Sequence, residues 1–319
     1  MVVGSNVRNV AKSAFEAGYK VYAFTDYVDK DLRMFARVER IGENLKERVE
    51  EVSQSLNAKV VLCSGYEGLK VKAERFGHFD RVVLDKLRFY RKLERLGFKF
   101  PEILSGNDEG KLIKRRFGGG GIGVRFGEKA GRDEFFQKFV EGIPFSVTMV
   151  VRDGKVHFKA VNRILCGLKR LNADNFKYCG NVTPFSFEGV ERALKIAEEL
   201  AEVFDVEGCF GVDFILSDDI YVLELNPRFV GSLDTVEMSY GVNLFKAYEK
   251  KIDAKPKRTA VRLIYYSPRD MHVDVPILSY LADVPQGYYK RGEPLVSILS
   301  TDLKSAFCRV ADFERASNI

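Results

Sequence analysis

Cys209-Phe-Gly-Val-Asp-Phe-Ile-Leu-Ser-Asp-Asp-Ile-Tyr-Val-Leu-Glu-Leu-Asn226 reads as two runs of alternating character around a polar turn. A two-residue loop at Asp218-Asp219 sets Ser217 opposite Ile220 and fixes the register of the residues on either side. Val212 then faces Leu225, Phe214 faces Leu223 and Leu216 faces Tyr221, which makes one wholly apolar face. The other face sets Gly211 against Asn226, Asp213 against Glu224 and Ile215 against Val222. Two carboxylates are thereby neighbours, their Cβ atoms roughly 4.5–5.5 Å apart, with the Asn226 amide two residues along the same face. Like charges at that separation repel. They become favourable neighbours when a hard divalent cation lies between them, because Mg2+ prefers carboxylate and amide oxygens together with phosphate oxygens from a substrate. The competing structural reading pairs Asp213 or Glu224 with a basic neighbour such as Arg228. The alignment of Asp213, Glu224 and Asn226 on one face favours the metal.

Upstream, Ala193, Leu194, Ala197, Leu200, Ala201 and Phe204 form one stripe and predict a helix over about 191–204. Strands over about 145–151 and 156–165 are joined by Arg152-Asp153-Gly154-Lys155, whose Asp-Gly pair signals a tight hairpin. A short helix is expected to end at Gln137. Before it, Gly118-Gly119-Gly120-Gly121-Ile122-Gly123 lies between a strand at 111–117 and a strand pattern at Val124-Arg125-Phe126. Phosphate loops of the Walker and dinucleotide kinds run from a strand into a helix, so this order predicts a mobile flap instead. Asp85-Lys86 opens a helix carrying Leu87, Tyr90 and Leu93, closed by Gly97 with Pro101 beyond it.

Residues 1 to about 80 alternate strand and helix. Strands are expected at 1–4, 19–25 and 58–63, with a helix to about Gly18 and another on the stripe Leu45, Val49, Val52 and Leu56, which together predict a small parallel α/β layer. Gly4-Ser-Asn-Val-Arg-Asn9 lacks the further glycines of a dinucleotide fingerprint. After about Asp253 the pattern becomes short β-like segments and turns, including Pro285-Gln286-Gly287.

With 319 residues, 46% hydrophobic and 30% charged, the chain has material for two or three packed domains. Its 51 basic and 45 acidic residues give +6 without a block of one sign, so charge does not argue for a nucleic-acid partner and none is expected. Cys63, Cys166, Cys179, Cys209 and Cys308 form no C-x-x-C pair and read as reduced thiols of a cytoplasmic protein. No apolar run approaches the ~18 residues of a membrane span, and the start lacks the basic and apolar parts of a leader, so no membrane association is expected. His78, His157 and His272 are too scattered for a zinc site or a histidine relay, which leaves oxygen ligands for any metal.

Glu224-Leu-Asn-Pro-Arg228, read with Asp213, Lys86, Lys114 and the glycine flap, resembles the ATP-grasp superfamily, and more closely its carboligase members near carbamoyl-phosphate synthetase and biotin carboxylase. The resemblance implies an ATP-grasp fold, combining α/β and α+β parts. A Rossmann-like pre-ATP-grasp domain would occupy 1–80, the ATP-grasp domain 81–253 with two α+β subdomains split near 142, and a small β-rich region 254–319. ATP with Mg2+, or Mn2+ in its place, is the implied cofactor. By position, Lys86 and Lys114 would contact the phosphates, and Gly119, Gly120 and Gly121 would let backbone N–H groups approach them. Gln137, Phe139 and Val140 would belong to the adenine hinge, Asp213, Glu224 and Asn226 would bind the metal, and Arg228 with Lys114 would be catalytic. Two positions depart from the family pattern: Arg115 stands where many relatives have proline, and Pro144 where many have a ribose-binding glutamate, leaving Glu141 as the candidate there. Asn181 and Gly231-Ser232 are candidate lining of the acceptor pocket.

The activity so implied is a carboxylate-amine ligase. A small-molecule carboxylate would attack the γ-phosphate to give an acyl phosphate, which an amine would then displace. A kinase acting on a small molecule and a nucleotide-binding protein without turnover are the alternatives, and a homodimer is an open assembly state.

Overall fold

A computed structural model describes residues 1–105 and 111–317 of the chain. The N-terminal layer comprises β1 (Val2–Gly4), α1 (Arg8–Glu16), β2 (Val21–Thr25), β3 (Ala36–Arg40), α2 (Leu45–Leu56) and β4 (Val61–Leu62). Its strands are parallel in the order β3-β2-β1-β4. Strand β3, Ala-Arg-Val-Glu-Arg, carries too much charge to stand out in the sequence. It is an edge strand, where charged side chains are tolerated and block further pairing.

The next unit comprises α3 (Lys86–Arg95), β5 (Ile103–Leu104), β6 (Lys111–Arg115), β7 (Arg125–Phe126) and β8 (Glu134–Lys138). The Asp85 side chain caps α3 by accepting from Arg88 N, as the sequence predicts. The four strands form an antiparallel sheet in the order β5-β8-β6-β7. The expected short helix ending at Gln137 is therefore wrong: Glu134–Lys138 is a strand. Phe135 and Gln137 point inward with period two, and the burial of a polar glutamine beside the adjacent Phe136 hides that period in the sequence.

The remaining elements are β9 (Ile143–Arg152), β10 (Lys155–Cys166), β11 (Tyr178–Thr183), α4 (Val190–Val203), β12 (Gly208–Leu216), β13 (Ile220–Asn226), α5 (Leu233–Tyr240), α6 (Leu244–Glu249), β14 (Ala260–Tyr266), β15 (Met271–Asp274), β16 (Leu281–Ala282), β17 (Gln286–Tyr289), β18 (Pro294–Ser300) and α7 (Leu303–Ser317). Eight strands make one antiparallel sheet, β13-β12-β9-β10-β11-β14-β18-β16, so strands from beyond residue 253 extend the sheet that carries the acidic hairpin. The final helix α7 was not anticipated among the β-like segments. It buries Ala306, Val310 and Phe313, a sparse stripe on an otherwise polar helix.

Both faces of the sheet centre are covered. Val147, Met149 and Val151 of β9 pack with Leu200 of α4, with Phe204 just after it, and with Phe89 and Leu93 of α3. Val150, between them in sequence, packs on the opposite face with Val10 of α1, Val236 of α5 and Phe245 of α6. Two-sided burial explains why Met149, Val150 and Val151 are apolar in succession and why Ser146 and Thr148, on the face opposite Val147, are buried as well. Each such side chain stabilises the fold by about 1.5–3 kcal/mol on burial. Among the described residues no helix is long and apolar enough to cross a membrane.

The acidic hairpin departs from its expected register in an informative way. Gly211 pairs with Asn226, Val212 with Leu225 and Asp213 with Glu224, as expected. Beyond that point the register shifts by one, so Phe214 faces Val222, Ile215 faces Tyr221 and Leu216 faces Ile220. The pairs Phe214–Leu223, Ile215–Val222 and Leu216–Tyr221 do not form. The turn is one residue longer than two, and a bulge at Leu223 restores the register before Glu224. The slip buries Ile220 and Val222 beside Phe214 and leaves Tyr221 and Leu223 half-buried.

Candidate functional site

Between the small sheet and the large one lies a cleft of about 1550 Å³. Its floor is the bulged end of the hairpin. The Leu223 carbonyl, freed by the bulge, accepts a 2.6 Å hydrogen bond from the buried Tyr90 hydroxyl of α3, so the helix that presents Lys86 also anchors the strand that presents Glu224. Asn226 donates from Nδ2 to Asp213 Oδ2 at 3.1 Å, and its Oδ1 accepts from Arg228 Nη2 at 3.2 Å. Asp213, Glu224, Asn226 and Arg228 thus form one contiguous group along the cleft.

The basic residues divide between partners. Lys86 Nζ lies 2.9 Å from Glu224 Oε1 and also donates to the Gly118 carbonyl. Arg228 forms an ion pair through Nε with Glu67, from the loop after β4, rather than with Asp213 or Glu224. The competing structural reading therefore holds in a different form: Glu224 has a basic partner, and it is Lys86. Lys114 lines the cleft from β6, and among the described residues no hydrogen bond or ion pair holds its ammonium. Burial, helped by Lys86, pushes its pKa down to about 8 against the opposing pull of Glu224 and Asp213. Burial and the Glu224 charge push the Asp213 carboxyl up to about 7, although Arg228, Asn226 and Lys86 oppose the rise.

The glycine loop lies over this group. A side chain at Gly119 would begin 3.7 Å from Glu224 Oε1 and 3.9 Å from Arg228 Nη2. Gly121 has φ +71°, and a Cβ there would meet the Phe176 carbonyl oxygen at 1.9 Å. The Gly120 carbonyl accepts from Tyr178 N at 3.1 Å, so the loop tip is docked onto the segment entering β11. At the hinge, Phe139 meets Phe126 of β7 at 5.3 Å and Phe176 at 6.0 Å between ring centroids. Gln137 is buried, donates to the Pro101 carbonyl at 2.8 Å and leaves its amide oxygen without a hydrogen-bond partner. Val140 and Glu141 line the same cleft. Every residue singled out in the sequence is thus gathered around one space.

Asn181 and Ser232 also line it, but both are engaged in a buried chain of hydroxyls and amides. Asn181 donates to Thr235 Oγ1, and Ser232 Oγ lies 2.8 Å from Thr148 Oγ1. Sequence reasoning missed Glu67, Tyr90 as the bulge anchor, and Phe176. It also missed Asp29, which sits past the carboxyl end of β2. The available signal was general: loops at the carboxyl ends of parallel strands are where such layers present ligand-binding groups, and Asp26-Tyr-Val-Asp-Lys-Asp31 is such a loop.

Two carboxylates and one amide are the donor set at the hairpin, and among the described residues no group of three or more His, Cys, Asp or Glu is arranged to hold a metal ion by itself. Such a set suits magnesium, which takes few protein ligands and completes its shell with water and phosphate oxygens.

Comparison with known proteins agrees with this geometry. An ATP-grasp domain model matches residues 83–232. An uncharacterized protein of Methanocaldococcus jannaschii is 24% identical in an alignment covering 99% of this chain and 92% of that protein. The large chain of carbamoyl phosphate synthase from Pyrococcus furiosus is 28% identical over 39% of this chain and 11% of its own length. The solved phosphoribosylamine–glycine ligase of Thermotoga maritima superposes with a TM-score of 0.73 at 14% identity, covering 99% of this chain and 96% of that one. The biotin carboxylase domain of Hydrogenobacter thermophilus 2-oxoglutarate carboxylase, solved with MgADP and bicarbonate, gives 0.71 at 15% identity, with 99% and 89% covered. Residues 83–232 thus match an ATP-grasp domain, and the chain as a whole has the fold of the solved ATP-grasp proteins.

Proposed function

We propose that the protein is an ATP- and magnesium-dependent ligase that activates a small-molecule carboxylate as its acyl phosphate and joins it to an amine. The observation that carries the reading is the cross-strand pair Asp213–Glu224, with Asn226 beside it, facing the glycine loop and Lys114 across one cleft. The names of the similar proteins, a ligase, a biotin carboxylase and a carbamoyl phosphate synthase, point the same way. In this reading 81–253 form the nucleotide-binding unit, with halves meeting near 142, while 1–80 and 254–319 close the acceptor end. Five free cysteines fit a reducing cytoplasm.

Asp213, Glu224 and Asn226 would hold Mg2+, which when bound offsets charge on the phosphates. Lys114, with no hydrogen-bond or ion-pair partner among the described residues, supplies a positive point charge inside the cleft. Lys86 exchanges its contact with Glu224 for the nucleotide. Gly119 to Gly121 bring backbone close to the phosphates without side chains in the way, and the docked loop excludes water that would hydrolyse the acyl phosphate. Arg228, oriented by Glu67 and Asn226, presents a planar fork toward the transferred phosphoryl group. Carbon–oxygen–phosphorus bond formation releases ADP. Attack of the amine then expels phosphate.

The test is ADP release over a panel of carboxylic acids with hydroxylamine as the trapping amine. A substrate-dependent hydroxamate supports the ligase. ADP release with a phosphorylated alcohol and no hydroxamate would replace it with a kinase.

A further inference from the structure

At the other end of the same cleft, six charged side chains are buried together. Arg8 of α1 and Arg262 of β14 are 5% and 6% exposed, and Asp29, Asp31, Asp234 and Asp283 are all below 8%. Arg8 contacts Asp31 at 2.5 Å and Asp234 at 3.3 Å. Arg262 contacts Asp283 at 2.7 Å and Asp234 at 3.3 Å. Two guanidiniums therefore face four carboxylates. Asp29 has no ion-pair partner among the described residues, and its buried Oδ2 accepts no hydrogen bond. The buried Oδ1 of Asp283 is likewise without one, although its Oδ2 is held by Arg262.

Buried negative charge in excess of its partners is costly unless a cation or a proton meets it. Burial first, then the charges of Asp283 and Asp31, raise the Asp29 carboxyl well above the usual range, against Arg8 and Arg262. Asp29, Arg262 and Asp283 line the cleft, so the missing cation can come from a ligand entering it. A divalent metal suits the place less than a single organic charge, because Arg8 and Arg262 stand among these carboxylates and repel it. The wall here is also aromatic: Tyr27 lines the cleft and stacks on Tyr289 at 6.2 Å, which suits an organic cation.

We propose that this end of the cleft binds the ammonium group of a small-molecule substrate, held by the unpartnered carboxylate oxygens of Asp29 and Asp283. That the occupant is a substrate rests on the ligase reading; that it is an ammonium rests on the buried charge and the aromatic wall. Arg8 and Arg262 do not compete for the ligand, since each is already spent on carboxylates. They hold Asp31, Asp234 and one oxygen of Asp283 in place and leave the remaining oxygens to the ligand.

The experiment uses the full chain with MgATP and a panel of α-amino acids, putrescine and cadaverine, each beside the counterpart in which hydroxyl replaces amine. Binding is followed by calorimetry and turnover by ADP release. The expected result is that at least one ammonium compound binds and its hydroxyl counterpart does not. Asp29→Asn is expected to weaken that binding at least tenfold, the size of a lost charge-assisted hydrogen bond, while ATP affinity stays unchanged. Asp283→Asn serves as the second variant if Asp29→Asn does not fold. If no ammonium compound binds, or if the variants bind it as well as wild type, the proposal is overturned. If hydroxamate formation from the acid substrate survives in Asp29→Asn while amide formation falls, the ammonium belongs to the amine; if both fall, it belongs to the acid. Ammonium binding without any trapped hydroxamate overturns the ligase and leaves this site standing.

Discussion

Asp213 is placed where its charge is unwelcome to the fold, half-buried and beside Glu224. Its carboxyl is raised from about 4 to about 7, so the folded protein holds a proton that the unfolded chain has lost. Its ionisation therefore costs stability as pH rises from about 4 through 7, and none of that cost is present below the unfolded value. Asp213→Asn removes it. The variant is expected to be more stable than wild type at pH 8 without metal, by on the order of 2 kcal/mol in urea denaturation, and to lose ATP turnover. Lys114 gives the opposite sign. With its pKa lowered to about 8, its charge fades as pH rises through that value, and kcat/KM for ATP should fall above about pH 8. Lys114→Arg should move that fall to higher pH, and Lys114→Met should lower kcat/KM by roughly 100-fold at pH 7. Residues of this kind were legible in the sequence because the chemistry needs a particular side chain at a particular place in a motif. Glu67 and Asp29 were not, since each is an acid in a loop whose setting, the Arg228 guanidinium for Glu67 and the buried charge of Asp283, Arg8 and Arg262 for Asp29, is assembled from other parts of the chain.

The hairpin shows how an element can keep its function while departing from its simplest geometry. An extra turn residue would have slid Glu224 off Asp213, and the bulge at Leu223 returns it. Nothing in Ile220-Tyr-Val-Leu-Glu-Leu225 marks the bulge, since Ile220 and Val222 or Tyr221 and Leu223 make equally good apolar alternations. The Tyr90 hydroxyl selects between them from another element. The short strand β8 was unreadable for a related reason: its inward residue Gln137 is polar, and pattern reading counts polar as outward. The glycine loop was legible because five glycines in six residues have few structural uses. Its docking on Phe176 was not, because a backbone contact leaves no mark on side chains. That docking is testable. Gly121→Ala introduces a side chain at φ +71° against the Phe176 carbonyl, so the tip cannot seat. The KM for ATP should rise at least tenfold while stability in urea denaturation falls by no more than about 1–3 kcal/mol, the cost of one strained backbone position.

At the scale of the whole molecule, one eight-stranded sheet runs from the acidic hairpin at one edge to strands from the last quarter of the chain at the other. The parallel N-terminal layer and the helices α3 and α4 were visible as periodic stripes. The continuity of the sheet was not, because pairings such as β11 with β14 join segments separated by some eighty residues and leave no local pattern. Since the cleft draws on every layer, a ligand filling it ties the layers together. Saturating MgATP should stabilise the protein by about 2–3 kcal/mol at a hundredfold excess over Kd, and in Asp213→Asn the part that depends on magnesium should vanish. The central claim is that Asp213, Glu224 and Asn226 hold a hard cation against the phosphates of a nucleotide. A crystal of the protein with Mn2+ and a non-hydrolysable ATP analogue tests it through the anomalous signal of the metal. The expected peak lies within about 2.0–2.3 Å of oxygens from both carboxylates and is shared with phosphate oxygens. A nucleotide bound in the cleft with no peak between Asp213 and Glu224 would contradict it.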